Sequence, residues 1–314
     1  MLPDSPQIAL PLALPLSRSE LDRAAHLRSD QSALDEMWQR AKIIDLLGDR
    51  FRCNETGLEF LTSSSVSAIG GEAERYFLGL EESGTPYFAI HRSAHPEEFP
   101  KEYQSLRTLG KLLNSLEIGA AVHALAIAQW HDSHRRCAKC GGETQANMGG
   151  AVRRCQSCES DHHPRTDPAI IVLVKDKSDR ILLGRQKVWP AKRFSTFAGF
   201  VEPGESFEST VIREVAEECG GSVESMRYLG SQPWPFPASL MIAFEALISN
   251  PEGVEADGEE IEEILWLDRA SLKSKVASQD LLLPPRISVA RAMIEAWYGD
   301  QASKDLVGSE TWRN

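Results

Sequence analysis

Apolar and polar positions alternate along this chain in two distinct ways. Tyr76–Leu80 and Tyr87–Ile90 are short β-favouring runs around a turn containing Gly84 and Pro86, which predicts a hairpin. From about Ile118 to His131, Ala121, Val122, Leu125, Ala126 and Ala128 gather along one side at helical spacing. Further on, Ala169–Val174 (AIIVLV) and Ile181–Gly184 (ILLG) flank the polar KDKSDR, which reads as strand, turn, strand. A third strand is expected to end near Gly199, ahead of a loop and a helix from about Phe207 to Cys219. Leu240–Ile248 and Ile264–Leu267 predict two more strands, and Ile287–Tyr298 a closing helix. Strands placed between helices predict an α/β/α layering for the second half, after a smaller α+β region. The chain shows no internal repeat.

Composition narrows the class. Of 314 residues, 42% are hydrophobic and 25% charged, which is globular composition with room for two cores. The formal charge of −12 opposes non-specific binding to a phosphate backbone at long range, although bound divalent cations reverse the sign locally. No run approaches the roughly 20 apolar residues that span a bilayer. Ile8–Leu16 has the look of a signal core but lacks a basic lead and contains Pro11 and Pro15, so the expectation is a cytoplasmic protein with no membrane partner.

Cys137, Cys140, Cys155 and Cys158 form C-x2-C-x14-C-x2-C. Four thiolates suit a tetrahedral Zn²⁺ and leave no position for a reacting water, so this site is structural. Cys53 and Cys219 remain as small buried hydrophobes. Arg135, Arg136, Arg153 and Arg154 admit a nucleic-acid-binding ribbon, but arginines on such a surface are more commonly only solvated.

The stretch Gly199–Gly221, GFVEPGESFESTVIREVAEECGG, carries the chemistry. Pro203-Gly204 predicts a tight turn, Ser206 an N-cap and Gly220 a left-handed C-cap. Glu214, Glu217 and Glu218, at i, i+3 and i+4, share one helix face, beside an apolar arc of Phe207, Val211, Val215 and Cys219. Clustered glutamates alone commonly mean a solvated face. Converging carboxylates suit Mg²⁺ or Mn²⁺, with substrate phosphates completing the shell.

Taken together, Gly199, Glu205, Arg213, Glu214, Glu217, Glu218 and Gly220 resemble the Nudix box, G-x5-E-x7-R-E-U-x-E-E-x-G-U. Val215 fits the first bulky aliphatic position, and Gly221 departs from the second, which predicts weaker packing after the helix. The resemblance implies a pyrophosphohydrolase with the Nudix α/β/α sandwich, in which Glu205 pairs with Arg213.

Downstream, SQPWPFPAS (Ser231–Ser239) stiffens Trp234 and Phe236 with prolines; read alone, such aromatics belong to a core or a dimer contact. Following a Nudix box and a four-cysteine ribbon, it is similar to the motif of the NADH pyrophosphatase family, as is the WHxxH of Trp130, His131 and His134. That resemblance implies hydrolysis of NADH or NAD to nicotinamide mononucleotide and AMP, removal of NAD caps from RNA 5′ ends, and a homodimer. It implies that Phe200 and Trp234 sandwich the nicotinamide, with Ser239 and the Ala290 backbone near the ligand. His163 stands where the family commonly has a Tyr contacting substrate. Glu260, six residues before Trp266, is the implied fourth metal-binding glutamate, with Glu263 as the alternative in a run of eight carboxylates from Glu252 to Asp268.

The expected organisation is an N-terminal domain over 1–132, a ribbon over 133–163, a catalytic domain over 164–300 and a tail over 301–314. Two other functions fit parts of the pattern: a Nudix hydrolase of ADP-ribose or a dinucleoside polyphosphate, and a non-catalytic nucleotide-sensing regulator. The complete REVAEE set speaks against the regulator.

Overall fold

The computed structural model describes residues 12–69, 73–93 and 99–307. Of the Pro-containing apolar stretch Ile8–Leu16, the residues up to position 11 lie outside the described ones. The chain divides into two compact units. One comprises Arg18–Thr166 with Trp234–Ala238; the other comprises Asp167–Pro233 and Ser239–Asn314 with the described part of Pro6–Ser17.

In the second unit, the strand Asp167–Lys175 is the organising element. It runs parallel to Ser239–Ile248 and antiparallel to Ile181–Gln186 and Phe197–Phe200. Val223–Trp234 and Ile261–Leu267 lie at the two ends of the sheet order. Side chains of a strand alternate between faces, and here each face meets different helices. Ile170, Val172 and Val174 pack with Val211, Val215 and Cys219 of the helix Phe207–Cys219. Ile171 and Leu173 pack with Leu272 and Val276 of the helix Arg269–Ala277 and with Met293 and Ile294 of the helix Val289–Tyr298. This is the expected α/β/α sandwich. Val211 and Val215 are each fully buried, contributing about 1.5–3 kcal/mol apiece toward holding the acidic helix on the sheet. Leu12 and Leu14 join the opposite core.

The first unit holds a six-stranded sheet in the order Gly57–Leu58, Arg50–Asn54, Lys42–Leu47, Pro86–Arg92, Glu74–Leu80, with Tyr103–Ser105 off its path. The last two in this order, Glu74–Leu80 and Pro86–Arg92, are the expected hairpin. The expected helix spans Ser115–Ser133; Asn114 and Glu117 cap it reciprocally, and it is buried on several sides, not on one stripe. The cysteine ribbon belongs to this unit, with three short strands, Thr144–Asn147, Val152–Cys155 and Asp161–His162. A Cβ on Gly150 would lie 2.6 Å from Tyr76 Cδ1, so glycine there permits the ribbon to lie against the Tyr76 ring. Tyr76 in turn stacks on His131 at 4.4 Å between ring centroids. His131 is fully buried and neutral in tautomer logic: Nε2–H donates to the Gly150 carbonyl at 2.8 Å, while Nδ1 accepts from Arg153 at 2.6 Å. No helix among the described residues is long and apolar enough to cross a membrane.

Candidate active site

The acidic helix begins and ends on local signals. Ser206 accepts a hydrogen bond from the Ser209 N–H at 3.1 Å. Gly220, at φ +65°, closes the other end, its N–H reaching the Ala216 carbonyl at 3.0 Å while Gly221 N–H reaches Val215 at 3.1 Å. The preceding turn has Gly204 at φ +97° and a Glu205 N–H to Glu202 carbonyl bond of 3.0 Å. The weaker packing expected at Gly221 is not what the structure contains. A Cβ there would lie 2.7 Å from Val215 Cγ1, so the core has closed over the missing side chain.

Arg213 anchors the loop to the helix. Its Nε and Nη2 donate to the two oxygens of Glu205 at 2.7 and 2.8 Å, and Nη2 also reaches the Phe200 carbonyl at 3.0 Å. The guanidinium, with donors from the Glu202 N–H and the Thr210 hydroxyl, holds the Glu205 carboxyl down to about 2. Through Nη1 the same arginine reaches Glu214 at 2.7 Å and Glu217 at 2.9 Å.

The glutamates differ sharply in environment. Glu218 is 3% exposed, and its Oε2 is buried with no hydrogen-bond partner. Burial, then the charges of Glu214 and Glu260, push its carboxyl up to about 9. Glu214 is also raised, first by burial and further by Glu217 and Glu260, against the opposing pull of Arg213. Glu217 is turned outward, with a side chain 60% exposed. Among the described residues, only the four cysteines bring three or more potential ligand atoms within 4.8 Å of one another. Arg213 Nη1 thus gathers Glu214 and Glu217, while the buried Glu218 feels the charges of Glu214 and Glu260.

Glu260 and Glu263 are distinguished by their partners. The Glu260 carboxylate accepts from Gln186 Nε2 at 2.8 Å and acts electrostatically on both Glu214 and Glu218. Glu263 faces Arg185 at 3.7 Å, and Glu262 is bonded to the same guanidinium. Gln186 was not foreseeable from sequence, because a cross-strand partner leaves no local pattern. A hard divalent cation suits this set: Glu218 offers an acceptor oxygen without a donor, beside two further carboxylates.

The other expected residues are placed as follows. Phe200 ends its strand and is 60% exposed. Ser239 opens the strand parallel to the central one, opposite Asp167. Ala290 is 3% exposed, with its methyl in the core that the helix Val289–Tyr298 shares with Ile171 and Leu173 of the central strand. In the first unit, His163 is exposed just beyond the last ribbon strand. Trp234 meets Phe236 edge-on at 4.9 Å, and the Arg107 guanidinium lies 5.0 Å from the Trp234 ring centre and 3.9 Å from that of Phe236. Gln129 donates to the Pro235 carbonyl at 3.1 Å.

In the ribbon, Cys137 and Cys158 sulfurs are 3.7 Å apart and those of Cys140 and Cys155 are 3.5 Å apart. All four lie within 4.8 Å of one another, the spacing and donor set that Zn²⁺ takes as a structural ion.

Models of three families match in series: an NADH pyrophosphatase-like rudimentary NUDIX domain over 22–130, an NADH pyrophosphatase zinc ribbon over 132–162, and a NUDIX domain over 165–285. The first of these matches describes residues 22–130 as a rudimentary NUDIX domain, which the hydrophobic pattern and motifs of that stretch did not display. The chain is 38% identical over 293 residues to the NAD-capped RNA hydrolases NudC of Mycobacterium bovis and Mycobacterium tuberculosis, covering 90% of this chain and 94% of each relative. It is 34% identical over 283 residues to the mitochondrial NAD(P)H pyrophosphatase NUDT13 of Mus musculus, covering 85% of this chain and 79% of the relative. A Nudix box on the expected helix, a zinc ribbon and these relatives along nearly the whole length together make this chain a member of the NADH pyrophosphatase family of Nudix hydrolases.

Proposed function

We propose that this enzyme hydrolyses the pyrophosphate bond of NADH or NAD to nicotinamide mononucleotide and AMP, and removes NAD caps from RNA 5′ ends. The observation that carries the reading is the buried Glu218 carboxylate, whose Oε2 has no hydrogen-bond partner and which feels the charges of Glu214 and Glu260. Glu214, Glu217, Glu218 and Glu260 would hold Mg²⁺ or Mn²⁺, which when bound neutralises the phosphoryl oxygens and acidifies an attacking water. Arg213 orients Glu214, holds the loop after Phe200 through Glu205, and bonds the Phe200 carbonyl directly. Water adds to one phosphorus, the bridging oxygen leaves with the other phosphate, and the proton passes to solvent.

Substrate orientation falls to Phe200 and Trp234 on the nicotinamide, with Ser239, the Ala290 backbone and His163 as further contacts. We place the enzyme in the cytoplasm as a homodimer. Mass spectrometry of products from NADH and from NAD-capped RNA, with and without Mn²⁺, tests the reading. Nicotinamide mononucleotide released from both only with the metal is the expected result. Intact substrates in the presence of Mn²⁺ would overturn it.

A further inference from the structure

His162 ends the last strand of the ribbon and is partly buried. Its Nε2 lies 3.2 Å from Cys137 Sγ. The four sulfurs form a closed group from which this imidazole is absent, so His162 approaches one thiolate from outside the tetrahedron and does not complete it. Four thiolates around one Zn²⁺ leave a net charge of −2, in a chain already at −12. Hydrogen-bond donors to sulfur disperse that charge and hold the ligands in place.

Most such donors here are backbone groups: Lys139 N–H at 3.4 Å from Cys137 Sγ, and Ser157 and Cys158 N–H at 3.4 Å from Cys155 Sγ. The Ser160 hydroxyl stands 3.3 Å from Cys158 Sγ. Cys140 is exposed and takes a backbone hydrogen bond from Gly142. Cys137 is only 3% exposed, so a protein donor must do what water does elsewhere, and in a dry site each such bond is stronger.

We propose that His162 is a positioning residue of the zinc centre, its Nε2–H donating to the Cys137 thiolate and slowing release of the metal. This role is separate from hydrolysis at the acidic helix, and its test does not read turnover. Zinc release from the full-length, zinc-loaded protein is followed with a chromogenic chelator, and the sulfur-to-metal absorption band is recorded after cobalt substitution. His162→Phe keeps a ring but removes the donor; it is expected to release zinc about tenfold faster and to shift the cobalt band, with native circular dichroism. His162→Gln, which retains an N–H, is expected to recover most of the wild-type rate. Should His162→Phe fail to fold, His162→Gln against His162→Met poses the same question, donor against no donor, with the same expected ordering. Release within about twofold of wild type for the donor-free variant, with an unchanged cobalt band, would overturn the proposal.

Discussion

The backbone of Gly199 is the surface on which the Glu214 carboxylate rests: a Cβ on Gly199 would lie 1.9 Å from both Cδ and Oε1 of Glu214. No neighbour yields by that much except the carboxylate itself, which is the far end of a flexible side chain. Gly199→Ala should therefore leave the fold nearly intact and displace Glu214. A displacement of about 1 Å at a catalytic group costs on the order of 100-fold in rate. The expected outcome is a fall of that size in kcat with a thermal midpoint within a few degrees of wild type. Unchanged kcat would mean that the Glu214 position is not used in turnover.

Glu218→Gln separates chemistry from stability in the opposite sense. The native carboxylate is buried without a partner for Oε2, so its charge opposes folding when no cation is present. In chelator, the Gln variant should melt at or above the wild-type temperature while turnover with Mn²⁺ falls at least about 100-fold. Added Mn²⁺ should raise the wild-type midpoint, since a ligand that binds only the native state stabilises it, and should raise that of the variant far less. A variant that melts well below wild type in chelator would contradict this account of Glu218.

Much of this site was legible because its signals are local. Ser206 and Gly220 cap the helix at the expected residues, and Arg213 and Glu205 meet as the Nudix resemblance implied. The misses share a different cause. Val223–Trp234 is an edge strand with both faces partly exposed, so VESMRYLGSQPW carries no alternation to read. The helix Arg269–Ala277 buries only Leu272 and Val276, too few for an apolar stripe. Lys42–Leu47 hides a fully buried Asp45 inside KIIDLL, where Arg92 and Tyr103 satisfy it from distant strands. The rudimentary NUDIX match over 22–130 has no motif to announce it, because the letters of REVAEE have no counterpart there. The outward turn of Glu217 depends on where a guanidinium lies in three dimensions, which helical spacing does not encode.

Where the ribbon meets the N-terminal sheet, stability should depend on pH through His131. Burial is the main cause that lowers its pKa to about 4 from the ordinary 6.5. Because the folded value is the lower one, the unfolded chain takes up a proton first as pH falls. The stability from this group is complete above about 6.5 and is lost between there and about 4, at roughly 1 kcal/mol per pH unit. His91 is displaced in the same direction, also mainly by burial. Urea midpoints measured from pH 7 to pH 4.5 should decline for wild type and decline less steeply for His131→Gln, which starts from a lower value at pH 7. Parallel curves for the two proteins would remove His131 from the explanation.

The aromatic loop offers a last test, one that bears on substrate binding and not on chemistry. Arg107 lies over Phe236 at 3.9 Å and Trp234 at 5.0 Å, and Gln129 holds the Pro235 carbonyl between them. A cation over an aromatic face contributes about 0.5–2 kcal/mol, so Arg107→Ala should loosen both rings by that amount. If Trp234 stacks on the nicotinamide, the loss appears in ground-state and transition-state binding alike. KM for NADH should then rise about 2- to 30-fold with kcat little changed. The effect should vanish in a Trp234→Ala background, because the residue through which Arg107 acts is gone. Arg107→Lys should recover part of the affinity, since it keeps the charge but not the planar stacking group. A fall in kcat at constant KM, or an undiminished effect of Arg107→Ala without Trp234, would place Arg107 outside this role.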